Sequence, residues 1–252
     1  MPNYLTLVKE KEEEELKELD KRMQQDADLL YLKKYTMTDA DKVKVPNIIN
    51  ITLNKPAVFA ATVISVLGNT GQQTIVESSD KGVDTHEIEA FQEAAFNGAN
   101  ARLLKIPGQS LLNPFADEQL CFRGRTARRV LFRLEDGILI PDITPWDGRY
   151  VRYEASSQGL VWAAYSTTRS KARIQDEWGI TVKGKEGKVL DVWDKTHNEI
   201  WIDEKKFIEQ EHDWGFPPVV IQVVSLGYGS SLLDKNRNEH EGESIFFLIR
   251  DL

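Results

Sequence analysis

The chain has 252 residues, with 32 basic and 40 acidic side chains, a net charge of −8 and 41% hydrophobic residues, enough length and apolar content for one large domain or two small ones. One cysteine, Cys121, excludes an intramolecular disulfide and with it a disulfide-stapled secreted scaffold. The most apolar run, Pro56 to Leu67, has 12 residues against the ~20 of a membrane-spanning helix, and no basic-then-apolar leader opens the sequence, so no membrane partner is expected.

Residues 5–35 read as a charged helix. Lys9 to Arg22 holds seven acids and five bases, and Leu16, Leu19 and Met23 form a narrow apolar line at three- and four-residue steps. A polar connector, Thr36 to Lys42, and an extended Val43–Leu53 stretch follow. Pro56 stands where a helix would begin and Gly68 where it would end. Val58, Phe59, Ala60, Ala61, Val63, Ile64, Val66 and Leu67 leave it almost no polar face, which predicts a helix buried all round, in a core or between subunits.

Thr74 to Glu77 reads as a short strand. Asp84 and Glu87 resemble a capping box ahead of an amphipathic helix carrying Ile88, Phe91, Ala95, Ala99 and Leu103. A further helix opens at Asn113-Pro114, carries acids in its first turn, and runs through Cys121 toward Arg128.

The pattern changes to strands at Val130. Val130–Leu134 and Ile138–Ile143 flank Asp136-Gly137, whose residues accept the positive φ angles of a tight hairpin. Arg149–Glu154 and Leu160–Ser166 form a second hairpin. A short helix over Lys171–Trp178 is capped by Ser170 and stopped by Gly179. Lys188–Trp193, Glu199–Ile202, Phe207–Glu211 and Val219–Ser225 complete the strands. All six tryptophans lie between 146 and 214. After a glycine-containing turn and a charged loop, an apolar segment begins at Ser244.

No catalytic, cofactor-binding or metal set emerges. His240-Glu241 begins like a zinc-protease motif, but Ser244 stands where the second histidine belongs. Gly227-Tyr228-Gly229 lacks the rest of any phosphate-loop fingerprint, and no Gly-x-Ser-x-Gly elbow is present. Acid pairs such as Asp142 with Asp147, or Asp191 with Asp194, permit a carboxylate-dependent hydrolase of glycans. One electrostatic feature departs from the acidic total. Residues 102–133 carry seven bases and two acids, a local net of +5, with Arg123, Arg125, Arg128, Arg129 and Arg133 close together. Arginine's planar fork suits phosphate, so Arg123, Arg125, Arg128 and Arg129 are candidates for contact with DNA or an acidic partner. The competing reading pairs them with the chain's own acids.

The segment Ile138 to Val151, with Pro141, Asp142, Pro145, Trp146, Asp147, Arg149 and Tyr150, resembles portal proteins of tailed bacteriophages and prophages. Gly159 to Tyr165, including Trp162, Arg169-Ser170-Lys171, Val192-Trp193-Asp194 and Gly242 to Phe246 resemble the same family in the same order, as do Pro56 to Ala60 and Cys121 to Arg125. The resemblance implies a structural protein rather than an enzyme. Its subunits would form a dodecameric ring at a capsid vertex of the virion, after synthesis in the host cytoplasm. Double-stranded DNA would pass through non-specifically, and terminase, capsid and head-completion or tail proteins would be partners. It implies an α+β architecture: a charged helix over 1–35, a helical part over 36–129, an antiparallel β-rich, wing-like region over 130–226, and the start of a stem-type helix within 227–252. Portal chains are commonly about twice this long, so a truncated form is expected. A non-channel virion or adaptor protein is the remaining alternative.

Overall fold

The computed structural model describes residues 3–70, 75–80, 82–224, 242–247 and 249–250. It is an α+β protein, with helices first and two antiparallel sheets after them. The charged N-terminal segment forms α1 (Tyr4–Glu10), a π-helical turn over Lys11–Glu15, and α2 (Lys17–Leu30). The break coincides with four consecutive glutamates, Glu12 to Glu15, where like charges one turn apart oppose a regular α-helix. Leu16, Leu19 and Met23 are buried together, as their spacing predicts.

Helix α3 (Lys55–Gly68) and α5 (Leu112–Arg123) pack against α2, and α4 (Thr85–Leu103) lies on β2 (Ile138–Trp146). Ala99, Leu103 and Leu112 bury against Ile143 of that strand. Asp84 caps α4, although its carboxylate accepts the backbone N–H of His86 rather than that of Glu87.

The first sheet has the order β2, β1 (Arg125–Glu135), β8 (Val219–Val223). The second is a five-stranded meander of β3 (Val151–Ser156), β4 (Gly159–Ser170), β5 (Glu186–Trp193), β6 (His197–Ile202) and β7 (Lys205–Glu211). Asp136 and Gly137 take φ of +50° and +79° and join β1 to β2 in the expected hairpin. Helix α6 (Lys171–Trp178) begins at Ser170, whose hydroxyl accepts from the Arg173 N–H, and ends at Gly179 with φ of +69°. Both boundaries match the sequence reading.

One cluster, Ala127, Trp146, Val151, Ala163, Trp193 and Val219, draws on both sheets and locks them together. Another seats α1 on the meander, with Tyr4 and Val8 against Trp162, Ala164, Leu190 and Val192.

Several expectations are corrected. The helix at 113 ends at Gly124, which adopts φ of +67° and turns the chain directly into β1. Arg125 and Arg128 are therefore strand residues. A Cβ on Gly124 would lie 2.0 Å from the Gly242 backbone, so only glycine fits this crossing. Helix α3 is apolar all round but is not buried in the chain's own core: Val58, Phe59 and Val66 are exposed, and Ala60 alone is fully covered. Residues 43–53 and 75–77 form no strand, with only an isolated bridge between Thr38 and Lys44 nearby; Thr74 lies outside the described residues. Among residues 242–247 and 249–250 the chain forms turns rather than the start of a helix. Phe246 is fully buried and stacks on Phe122, and the Ile245 N–H donates to the Cys121 carbonyl at 2.9 Å.

Candidate functional site

The distinctive Pro141–Tyr150 segment runs along the end of β2 and through a 3-10 turn, Gly148–Tyr150. Trp146 is buried and stacks on Tyr165 with ring centroids 4.9 Å apart. Asp147 accepts the Arg149 N–H at 2.9 Å and pairs with Arg123 at 3.0 Å. A Cβ on Gly148 would meet the Arg125 carbonyl oxygen at 2.4 Å. Pro141 abuts Gly98 of α4, Gly159 takes φ of +103° in the second hairpin, and Trp162 meets Tyr4 at 5.9 Å. Arg149 donates to Gln24 at 2.8 Å and lies over the Tyr150 ring. These residues therefore make the joints between helices and sheets.

The basic stretch is drawn inward. Asp142, nearly fully buried, receives Arg102 at 2.9 Å, Arg129 at 3.1 Å and Arg133 at 3.3 Å. Arg129 reaches on to Asp191 of β5 at 3.4 Å and lies over the Trp193 ring. Arg125 is buried and donates to the carbonyls of Gly148 at 2.7 Å and Val151 at 3.0 Å. Of the four candidates for phosphate contact, Arg123, Arg125 and Arg129 are thus engaged internally. Arg128 has no carboxylate partner among the described residues and packs over Phe96; burial lowers its pKa, yet an arginine stays charged. The strand period explains the result. Arg125, Arg129 and Arg133 recur at even spacing on one face of β1, where Asp142 and Asp191 wait.

The carboxylate pairs do not face each other across a cleft. Asp142 and Asp147 sit in separate arginine pairs. Burial pushes the Asp191 carboxyl up, opposed first by Arg129 and then by the Asn198 amide. Asp194 is held below its ordinary pKa: burial raises it, but hydrogen bonds from Tyr4, Thr196 and His197 outweigh that effect.

Burial also raises the Cys121 thiol, with Asp117 adding to it, which fits a small buried hydrophobe. His212 stacks on Trp214 with ring centroids 4.4 Å apart and meets Trp193 at 5.8 Å, and His86 lies on the surface beside Glu89. His240 and Gly227 to Gly229 fall outside the described residues. Among the described residues no group of three or more His, Cys, Asp or Glu could hold a metal, and no helix is long and apolar enough to cross a membrane.

A polar cleft of about 610 Å³ opens between the N-terminal helices and the meander. Its charged lining is Glu12, Asp20, Asp147, Arg149, Arg152 and Lys188, three acids against three bases. Arg152 is buried and pairs with Asp20 at 2.7 Å. The cleft is thus electrically balanced and offers no field to collect phosphate. Sequence reading singled out neither Arg152 nor Asp20. They stand far apart in the chain, and nothing local signals their meeting. No family model matches the chain, and no curated protein matches it in sequence.

Proposed function

We propose that the chain is a subunit of a portal-type ring in a phage or prophage virion, a structural conduit for double-stranded DNA rather than an enzyme. Its partners on this reading are further copies of itself, terminase, capsid and head-completion or tail proteins. The observation that carries it is α3, apolar on every side yet uncovered over Val58, Phe59 and Val66. Nearby Ile49, Ile51 and Leu53 are exposed as well. A solitary globular protein rarely leaves so much apolar surface to water, whereas a ring subunit covers it with its neighbour. The inward pairing of Arg123, Arg125 and Arg129 also suits a conduit, because strong phosphate contact would hold the DNA in place. On this reading Arg128 is the member of the four left for DNA or an acidic partner.

Negative-stain imaging of the purified full chain tests the proposal. Closed rings with a central opening wide enough for duplex DNA are expected. Compact particles under all conditions would overturn it, and open assemblies without a channel would favour a virion adaptor.

A further inference from the structure

We infer that two surfaces of this chain dock on each other between copies, head to tail. The tip of the β1–β2 hairpin of one copy enters the groove between α2, α3 and residues 32–53 of the next. The inference does not depend on the conduit reading, since it concerns only what these two surfaces fit.

The hairpin tip is an apolar ridge. Leu134 and Leu139 stand opposite each other in the register, and Phe132 lies two residues before Leu134 on the same face. Phe132 meets Phe91 of α4 with ring centroids 5.6 Å apart. Toward its C-terminal end, α4 touches Pro141 through Gly98 and reaches Ile143 through Arg102. Its first turns therefore point toward the hairpin tip and carry Ile88 there. Phe91, Phe132, Leu134, Leu139 and Ile88 are all exposed, Leu134 by 73%. The rim of this ridge is acidic. Glu87 and Asp136 have no basic partner among the described residues, and Glu135 has only the half-exposed Arg133.

The groove has the opposite character. It is open, has a volume of about 840 Å³, and its apolar floor includes Leu32, Tyr35, Ile51, Leu53 and Phe59. All five are exposed in the isolated chain. Its charged rim is mainly basic, with Lys33, Lys34 and Lys55. Lys33 is held by Asp28 at 2.6 Å, while Lys34 and Lys55 have no acidic partner among the described residues. An apolar ridge with unpaired acids thus faces an apolar groove with unpaired lysines. Complementary charge of this kind steers association and fixes orientation, while the apolar centre supplies most of the affinity. The two surfaces lie on different elements. Each copy can therefore use both at once, which gives a heterologous contact that propagates into a ring or a filament.

Two variants, one on each surface, provide the test. Leu134→Asp disables the ridge and Phe59→Asp disables the groove; both positions are exposed, so circular dichroism should show unchanged folding. Sedimentation of the wild-type chain is expected to show species larger than a monomer that grow with concentration and recede at high salt. Each variant alone should weaken association by at least about tenfold. Mixing them should restore a one-to-one dimer and nothing larger, because each still carries the surface the other has lost. A monomeric wild type up to about 100 μM overturns the inference, as does assembly that both variants leave intact, or a mixture that stays monomeric. Rings unaffected by both substitutions would reject this docking and leave the conduit reading standing. A mixed dimer without closed rings from the wild type would do the reverse.

Discussion

Asp142 shows why residue identity alone misleads about function here. Between two prolines and beside Asp147 it looks like half of a catalytic pair. In the fold it is a buried anion shared by Arg102, Arg129 and Arg133. A buried charge is tolerable when it is paired, and removing one side leaves the other uncompensated. Asp142→Asn is therefore expected to lower stability by about 3–5 kcal/mol, read as a lower urea midpoint with an unchanged slope. Arg133→Gln is the control. Arg133 is half exposed and only one of three partners, so its loss should amount to less than about 1 kcal/mol. Equal effects from the two substitutions would mean that the network is not centred on Asp142. The sequence shows the arginines as a cluster of positive charge, because it counts neighbours along the chain. Their buried partners, Asp142 and Asp191, stand nine to some sixty positions away, so this neutralisation is visible only once the strands are in register.

Among the elements, those set by local chemistry were legible. Asp136-Gly137 and the Ser170 to Gly179 helix depend on φ preferences and caps within a few residues, and the structure matches them. The end of α5 is hidden in the sequence because Gly124 sits inside Arg123-Gly124-Arg125 without a break in polarity, although it carries the left-handed turn. For helix α3 the sequence leaves a core or a subunit contact open, and the chain's own core does not cover it. Periodicity reports which faces are apolar, not what covers them. Docking of α1 shows a further dependence, on two residues 190 positions apart. The buried Tyr4 hydroxyl donates to Asp194 at 2.6 Å. Burial and then this bond raise the Tyr4 pKa, while the Asp194 pKa is lowered. The lowered carboxyl contributes stability that is present above its ordinary value of 3.8 and is lost as pH falls through the folded value. The raised phenol contributes stability that is complete below 10 and declines as pH rises beyond it. A plot of urea midpoint against pH should thus fall at both ends. Tyr4→Phe should flatten the alkaline limb, and Asp194→Asn the acid one. Limbs unchanged by either substitution would place the titration elsewhere.

At the scale of the molecule, polar links between the two sheets include Arg125 to the Val151 carbonyl and the ion pairs of Arg129. From β1 Arg129 binds Asp142 on β2 and Asp191 on β5, over the ring of Trp193. The apolar part of the joint is the shared cluster around Trp146 and Trp193. With Arg129→Met, Asp142 keeps Arg102 and Arg133, but Asp191 keeps chiefly the Asn198 amide. Its carboxyl, already raised by burial, then loses the largest influence opposing that rise. Arg129→Met is accordingly expected to lower stability by about 3–5 kcal/mol near neutral pH. Part of the loss should return as pH falls, because an acid with a raised folded pKa destabilises the fold in its ionised form and ceases to do so when protonated. Adding Asp191→Asn should recover much of the loss at neutral pH, since no buried charge is then left alone. All six tryptophans lie in this region, so urea unfolding followed by fluorescence reports the joint, while far-ultraviolet circular dichroism reports the helices as well. Wild-type curves from the two probes should coincide. In Arg129→Met the fluorescence transition should move to lower urea first. If the effects of Arg129→Met and Asp191→Asn simply add, within about 0.5 kcal/mol, the two residues are not coupled and their ion pair does not join the sheets.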